Sequence, residues 1–210
     1  MIDEDIALGL LKKYANDDEQ LQKVLSHSRK VQEIALRFGS KIPGIDIEFV
    51  KVACLLHDIG KVGVPDSILL KPGALTEEEW KVMHLHDRIG VEIIAASFAS
   101  EELVKLLRGH SLRFSNDPQQ PHLPRGKDFP VGSRLIAIAD AYDSMISDQR
   151  YRKGRSRHEA FSELRRCSGT QFDPALVERF IEVVSGLHSP DHVEVAIDSR
   201  PTVLKIGLQI

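Results

Sequence analysis

One stretch constrains the fold more than any other: "DIEFVKVACLLHDIG", residues 46–60, which is apolar nearly all round before it turns polar. A helix that is apolar on every side has to be buried, so the stretch predicts a central helix from about Asp46 to Ile59. His57 and Asp58 lie at its end, and Gly60 follows as a natural stop. The role of these two polar groups depends on whether other segments face the same point.

Helical periodicity dominates the rest of the chain and predicts an all-α fold. Further helices are expected over about residues 17–38, 76–98, 100–109, 131–146, 156–167 and 173–184. The helix over 76–98 opens with a capping box of Thr76 and Glu79, and its spacing is expected to turn Trp80 inward. Residues 111–130 hold four prolines and no periodicity, so they predict a long loop.

The pattern divides the chain into three parts. An N-terminal helix is expected within residues 1–19, a helical domain over 20–184, and a C-terminal tail or connector over 185–210. The last part contains "HVEVAID" and "TVLKIGLQI", which alternate in the manner of short strands.

Composition excludes several classes of protein. A net charge of −3 and a pI near 6.3 argue against binding to a nucleic-acid polymer. No apolar stretch is long enough to span a bilayer, and the acidic start lacks the basic region of a signal peptide, so we expect a cytoplasmic chain without membrane insertion. Cys54 and Cys167 form no CxxC pattern, which gives no indication of a zinc knuckle or a disulfide framework.

Six ionisable side chains interrupt apolar faces or end helices, and they come from five predicted helices: His27, His57, Asp58, His86, His110 and Asp140. Taken singly, each is more often a hydrogen-bonded core residue than a ligand. Together, a mixed set of imidazoles and carboxylates suits borderline divalent ions or iron. A carboxylate next to a histidine can also bridge two ions, as in paired-metal sites for phosphoester hydrolysis.

These residues lie in stretches that resemble the HD-GYP branch of the HD superfamily of metal-dependent phosphohydrolases. The resemblance covers roughly residues 20–184 and rests on "HSRKV", "LLHDIGKVGVPDSILLKPGALTEEEW", "MHLHDRIG", "RGHSLRF", "RLIAIADAYDSMISDQRYRK" and "GTQFDPALVERF". It implies an HD-domain helical bundle with a central di-metal site, here followed by a short C-terminal appendage.

The resemblance also implies roles. The six side chains above would hold two divalent ions, iron or manganese, with Asp58 as the bridge. Asp58 and Lys61 would be catalytic, and Lys61 would also bind a substrate phosphate, although a solvated surface lysine is the commoner fate of such a residue. Apart from the family pattern, we expect Arg150 and Arg152 to offer cations to the substrate phosphate. The expected activity is hydrolysis of cyclic di-GMP or a related nucleotide by a metal-bridged hydroxide.

The chain departs from the family pattern in three places. Ser111 follows His110 where the family has a second histidine, and the loop reads "HLP" at residues 122–124 in place of "GYP". His122 is either a substitute ligand or a solvated loop residue. Gln149 stands where an arginine normally meets the substrate, although Arg150 is one residue away.

These departures keep two other interpretations open. One is a catalytically weak or inactive domain that binds metal and nucleotide as a signalling scaffold, and the other is a phosphohydrolase for another phosphoester. Asp143 and Ser144 either position water or a ligand or form the polar edge of a helix. A signalling-protein partner and a homodimer also stay open.

Overall fold

The computed structural model describes residues 2–115, 125–148 and 153–186, which form a bundle of α-helices. The helices are α1 (Glu4–Tyr14), α2 (Asp18–Gly39), α3 (Ile47–Leu56), α4 (Asp66–Leu69), α5 (Glu77–Met83), α6 (Leu85–Ser97), α7 (Glu101–His110), α8 (Val131–Ile146), α9 (Arg157–Arg166) and α10 (Pro174–Ser185). In these residues the only β contact is an isolated bridge from Ser168 to Phe172, so the predicted all-α fold is confirmed. The strands predicted in the tail lie outside the described residues.

Helix α3 is central, as its sequence predicts. Every residue from Val52 to Leu56 is buried. Helix α2 packs against α3 and α8, and α1 covers another side of α3. Rings from α2 and α10 meet within the core, where Phe38 contacts Phe180 edge to face at 5.4 Å. No helix in the described part of the chain combines the length and apolarity needed to cross a bilayer.

The central helix is shorter than expected, because α3 ends at Leu56 and residues Ile59–Gly63 form a 3₁₀ turn. Gly60 lies within this turn, so it is not the helix stop that the sequence indicated. A Cβ atom at Gly60 would lie 1.9 Å from the carbonyl oxygen of His86 and 2.5 Å from the backbone nitrogen of Gly90. Glycine is therefore required by close backbone approach, which brings α6 against the end of α3.

The single helix predicted over residues 76–98 is wrong, because α5 and α6 meet at a break at His84. The Met83 carbonyl oxygen accepts a hydrogen bond from His86 Nδ1 at 2.6 Å, so a side chain takes up a carbonyl group at the break. The Thr76–Glu79 capping box is present, as predicted. Trp80 is 43% exposed, contrary to expectation, because α5 packs against α4 and α6 away from the central core.

Candidate metal centre

Helices α2 and α8 place His27 between two carboxylates. Its Nε2 lies 2.8 Å from Asp140 Oδ1, and its Nδ1 donates to Asp143 Oδ2 at 2.8 Å. Burial alone would lower the pKa of His27, but the hydrogen bonds with Asp140 and Asp143 outweigh it and raise the pKa to about 9. Asp143 therefore orients the imidazole, which favours the first of the two roles left open for it.

Three other histidines share one arrangement, in which Nδ1 donates to the backbone carbonyl three residues earlier. His57, His86 and His110 donate to the carbonyl oxygens of Cys54, Met83 and Leu107 at 2.7, 2.6 and 2.5 Å, respectively. This hydrogen bond places the ring proton on Nδ1 and leaves a lone pair on Nε2, as in histidine ligands of metal ions.

His57 gives the sharpest test of whether a cation fits. Its Nε2 is buried and makes no hydrogen bond within the described residues. Burial lowers the pKa of His57 to about 4, so the ring is neutral and its lone pair is available. A buried, unsatisfied acceptor is costly, and a cation would satisfy it.

Asp58 lies between the histidines and turns a different oxygen to each side. Oδ2 is 3.5 Å from His27 Nε2 and 3.4 Å from His57 Nε2. Oδ1 is 3.3 Å from His86 Nε2. Burial alone would raise the pKa of Asp58, but Lys61 and the histidines outweigh it and hold the pKa well below its usual range. The carboxylate is therefore ionised, with one oxygen on each side.

The donors fall into two groups on either side of Asp58. The first donor group is His27, His57 and Asp140, whose ligand atoms all lie within 4.8 Å of one another. We call His86 and His110 the second donor group: His86 faces Asp58 Oδ1, and His110, whose ring lies 5.3 Å from the His57 ring, is linked to His86 through Ser111 and Asp87. The structure thus brings together all six side chains that were predicted as ligands, while their metal-binding role stays a prediction.

Lys61 projects from the 3₁₀ turn, and its Nζ contacts Asp58 Oδ2 directly. Burial alone would lower the pKa of Lys61, but Asp58 and Asp140 outweigh it and raise the pKa. The side chain keeps about a quarter of its surface exposed, at 25%. Lys61 is thus a cation beside the centre that is also open to solvent.

Five of the six predicted ligands line a cavity of about 710 Å³, together with Lys61, whereas His57 is buried behind its wall. Besides the predicted ligands and Lys61, the cavity wall includes four basic side chains and an aromatic one: Lys23, Lys30, Lys71, Arg113 and Trp80. The ring of Trp80 lies 5.6 Å from the ring of His84. The cavity combines cations, a ring surface and a buried carboxylate centre, which suits a phosphorylated ligand that carries bases.

The sequence interpretation did not assign these wall residues. A signal existed for two of them, because Lys23 and Lys30 lie four residues before and three after His27 and so share its helix face. No local pattern points to Trp80, since its position depends on the break at His84. Arg150, Arg152, Gln149 and His122 lie outside the described residues.

The region that contains the predicted ligands matches a known protein family. The family model of the HD domain matches residues 24–145, which include all six predicted ligands. The chain belongs to the HD domain family. The match lies inside the domain expected over residues 20–184, whose boundaries stay a prediction.

Relatives of this HD domain are named as cyclic dinucleotide phosphodiesterases. The chain is 36% identical to a cyclic di-GMP phosphodiesterase of Thermotoga maritima over 75% of its own length and 44% of the relative. It is 34% identical to the 3′3′-cGAMP-specific phosphodiesterase 2 of Vibrio cholerae, over 65% of its own length and 26% of the relative. The chain thus spans less than half the length of these curated relatives.

Solved structures show the same fold. An HDG"Y"P protein of Bdellovibrio bacteriovorus, Bd1817, superposes with a TM-score of 0.63 at 17% identity, over 87% of this chain and 58% of that one. The HD domain of L. monocytogenes phosphodiesterase PgpH, in complex with cyclic-di-AMP, superposes with a TM-score of 0.56 at 18% identity, over 89% of this chain and 99% of that one. Together with the relatives, these matches confirm the predicted HD-GYP resemblance.

Proposed function

We propose that this HD domain is a metal-dependent phosphodiesterase that hydrolyses cyclic di-GMP or a related cyclic dinucleotide. The observation that carries the proposal is the position of Asp58, whose Oδ2 faces the first donor group and whose Oδ1 faces the second. A carboxylate placed in this way is suited to bridge two cations. The names of the relatives supply the substrate class.

The donor set fits two divalent ions, with iron and manganese as our first choices. His27, His57 and Asp140 would hold one ion, His86 and His110 the other, and Asp58 both. Neutral imidazole nitrogens with carboxylate oxygens are a common donor set for these metals. A bound pair of such ions supplies an activated water and neutralises charge on a phosphodiester.

The surrounding side chains prepare the centre for this chemistry. Asp143 accepts the Nδ1 proton of His27 and so directs Nε2 at the centre. Lys61 exchanges part of its contact with Asp58 for a non-bridging phosphate oxygen, where it stabilises the charge that develops during hydrolysis. Arg150 and Arg152 are proposed to bind phosphate from the segment that follows α8.

The cavity supports a ligand with more than one phosphate and more than one base. Lys23, Lys30 and Arg113 line its wall in addition to Lys61, so a second phosphate has cationic neighbours. Trp80 offers an exposed indole face on which a purine can stack. A cyclic dinucleotide has both features, whereas a simple phosphomonoester has one phosphate and at most one base.

A second candidate function follows from Ser111. The second donor group has only two imidazoles, and a hydroxyl is a weaker ligand than the histidine expected next to His110. A weakly held second ion would favour a domain that binds metal and nucleotide with little turnover. A third candidate is hydrolysis of another phosphoester. It uses the same metal centre, and only the substrate in the cavity differs.

The test is hydrolysis by the purified chain after anaerobic reconstitution with Fe(II) or Mn(II). Cyclic di-GMP, 3′3′-cGAMP, cyclic di-AMP and bis(p-nitrophenyl) phosphate are compared at equal concentrations, with products separated by chromatography. We expect turnover of at least one cyclic dinucleotide, and none by His57→Ala or Asp58→Ala. His158→Ala is the matched control, because His158 is an exposed histidine on α9.

Each alternative has its own result. Two bound ions with tight nucleotide binding but no product would favour the scaffold function. Cleavage of bis(p-nitrophenyl) phosphate without cleavage of any cyclic dinucleotide would favour another phosphoester.

Other sequence-based expectations belong with this proposal. We keep a catalytic domain over residues 20–184, an N-terminal helix within 1–19 and a tail or connector over 185–210. We also propose a cytoplasmic location, a signalling-protein partner and a homodimer, which stay predictions from the sequence.

A further inference from the structure

The two donor groups differ in how many protein atoms they offer. On the first side of Asp58, three side chains converge with the carboxylate oxygen. On the second side, only His86 and His110 accompany Oδ1 among the six predicted ligands. A cation there would have three protein ligands, so a fourth donor at this position bears directly on whether the second ion is held.

Asp87 lies at this position. Its Oδ1 is 3.3 Å from His86 Nε2, the same distance that separates His86 Nε2 from Asp58 Oδ1. Two carboxylate oxygens therefore approach one imidazole nitrogen, while the other ring nitrogen, Nδ1, donates to the backbone. The two carboxylates repel one another unless a positive charge lies between them.

Ser111 joins Asp87 to the other imidazole of the group. Its Oγ donates to Asp87 Oδ1 and also lies 3.2 Å from His110 Nε2. The hydroxyl has one proton, which it donates to Asp87, so it cannot also donate to His110 Nε2. Asp87 lies on α6 and Ser111 directly follows α7, so the contact spans two helices.

The carboxylate of Asp87 is available for this role. Asp87 lies in the first turn of α6, and Ser111 donates a hydrogen bond to its Oδ1. The side chain of Asp87 is 36% exposed, against 5% for Asp58, and both line the cavity. The second side of the centre therefore has an oxygen donor on its open face.

We propose that Asp87 is a ligand of the second cation, that Ser111 holds its carboxylate in place, and that this oxygen replaces the imidazole absent at position 111. The proposal rests on the proposed two-cation centre. It makes the second site richer in oxygen than the first, because Asp58 and Asp87 both contribute oxygens. Such a site favours Mn(II) over softer divalent ions.

The test measures metal content and affinity, not activity. The full chain and its variants are stripped with chelator, titrated with Mn(II) by calorimetry, and desalted for elemental analysis. We expect two Mn(II) per wild-type chain, and in Asp87→Asn a second Mn(II) bound at least about 10-fold more weakly while the first is unchanged. Ser111→Ala is expected to weaken the same step less. Glu92→Gln, an exposed substitution on the same helix, is the control that leaves both steps unchanged.

A rescue variant separates ligand loss from misfolding. In Asp87→Asn with Ser111→His, an imidazole beside His110 is expected to restore the second binding step, which a damaged fold would not allow. Two unchanged binding steps in Asp87→Asn would overturn the role of Asp87 and leave the proposed function intact. A wild-type chain that binds fewer than two Mn(II) would overturn both.

Discussion

The two sides of the candidate metal centre are built in different ways. The first donor group comes from α2, α3 and α8, which pack directly against one another in the core. The second comes from α6 and α7, and it reaches Asp58 because Gly60 lets the 3₁₀ turn approach α6. The first side is thus fixed by the main core, whereas the second depends on a close backbone contact and on the residues nearest the cavity.

Removing the group shared by both sides is expected to have the largest effect. Asp58→Asn keeps the shape of the side chain but removes the charge that faces both donor groups and Lys61. We expect hydrolysis to fall by at least about 10³-fold and at least one cation to be lost. Metal analysis and the rate of nucleotide cleavage check this. Retained activity with two bound ions would contradict a bridging role for Asp58.

Gly60→Ala acts on the contact between the 3₁₀ turn and α6, which carries the second side. The new Cβ would meet the carbonyl oxygen of His86 at 1.9 Å, so α6 has to move away from the turn. We expect a loss of about 3 kcal/mol in the free energy of unfolding, measured in urea, together with weaker binding of one cation. Gly9→Ala is the matched control, since nothing lies within 4 Å of its Cβ position and stability should hold or rise. Equal stability of the two variants would contradict the close contact between Gly60 and α6.

The metal-free protein should lose stability in alkaline solution through the first side. The pKa of His27 is raised to about 9 in the folded chain, against about 6.5 unfolded, so the folded state binds more protons between these values. The stabilisation is complete below about pH 6.5 and lost as pH rises through about 9, by at most about 3 kcal/mol. The raised pKa of His86 acts in the same direction.

The measurement is urea unfolding in chelator across this pH range. His27→Gln should reduce the pH dependence and leave the part that is due to His86, while His158→Ala should leave it as in the unmodified chain. An unchanged slope in His27→Gln would assign the effect to other groups.

A smaller effect is expected at the cavity wall. Trp80→Ala removes the exposed ring near His84 without touching a predicted ligand. We expect nucleotide binding to weaken by about 1–3 kcal/mol, seen mainly in KM, while Trp80→Phe keeps most of the binding. Trp80 is also the single tryptophan of the chain, so its fluorescence reports nucleotide binding directly. An unchanged KM in Trp80→Ala would show that no base of the nucleotide stacks on Trp80.

Sequence reasoning reached the first side of the centre more fully than the second. His27 and Asp140 interrupt apolar helix faces, so their position on the inner side of each helix follows from periodicity, and the bounds of α8 agree with the predicted helix. The break at His84 does not follow, because it depends on a hydrogen bond from the His86 ring to the Met83 carbonyl. The same break exposes Trp80, which a continuous helix would have turned inward.

Long-range contacts explain the remaining differences. Glycine at position 60 suggests a helix stop, and only the fold shows that its backbone touches α6. Asp87 reads as an acidic residue in the first turn of a helix, and its contact with Ser111 spans 24 residues of sequence. No local pattern encodes such a pairing, whereas the capping box at Thr76 is local and was predicted.

The most direct test of the central claim is anomalous diffraction from crystals of the Mn(II)-loaded chain. We predict two manganese peaks about 3.5–4 Å apart, with one oxygen of Asp58 bound to each. A single peak, or two peaks that share no contact with Asp58, would contradict it.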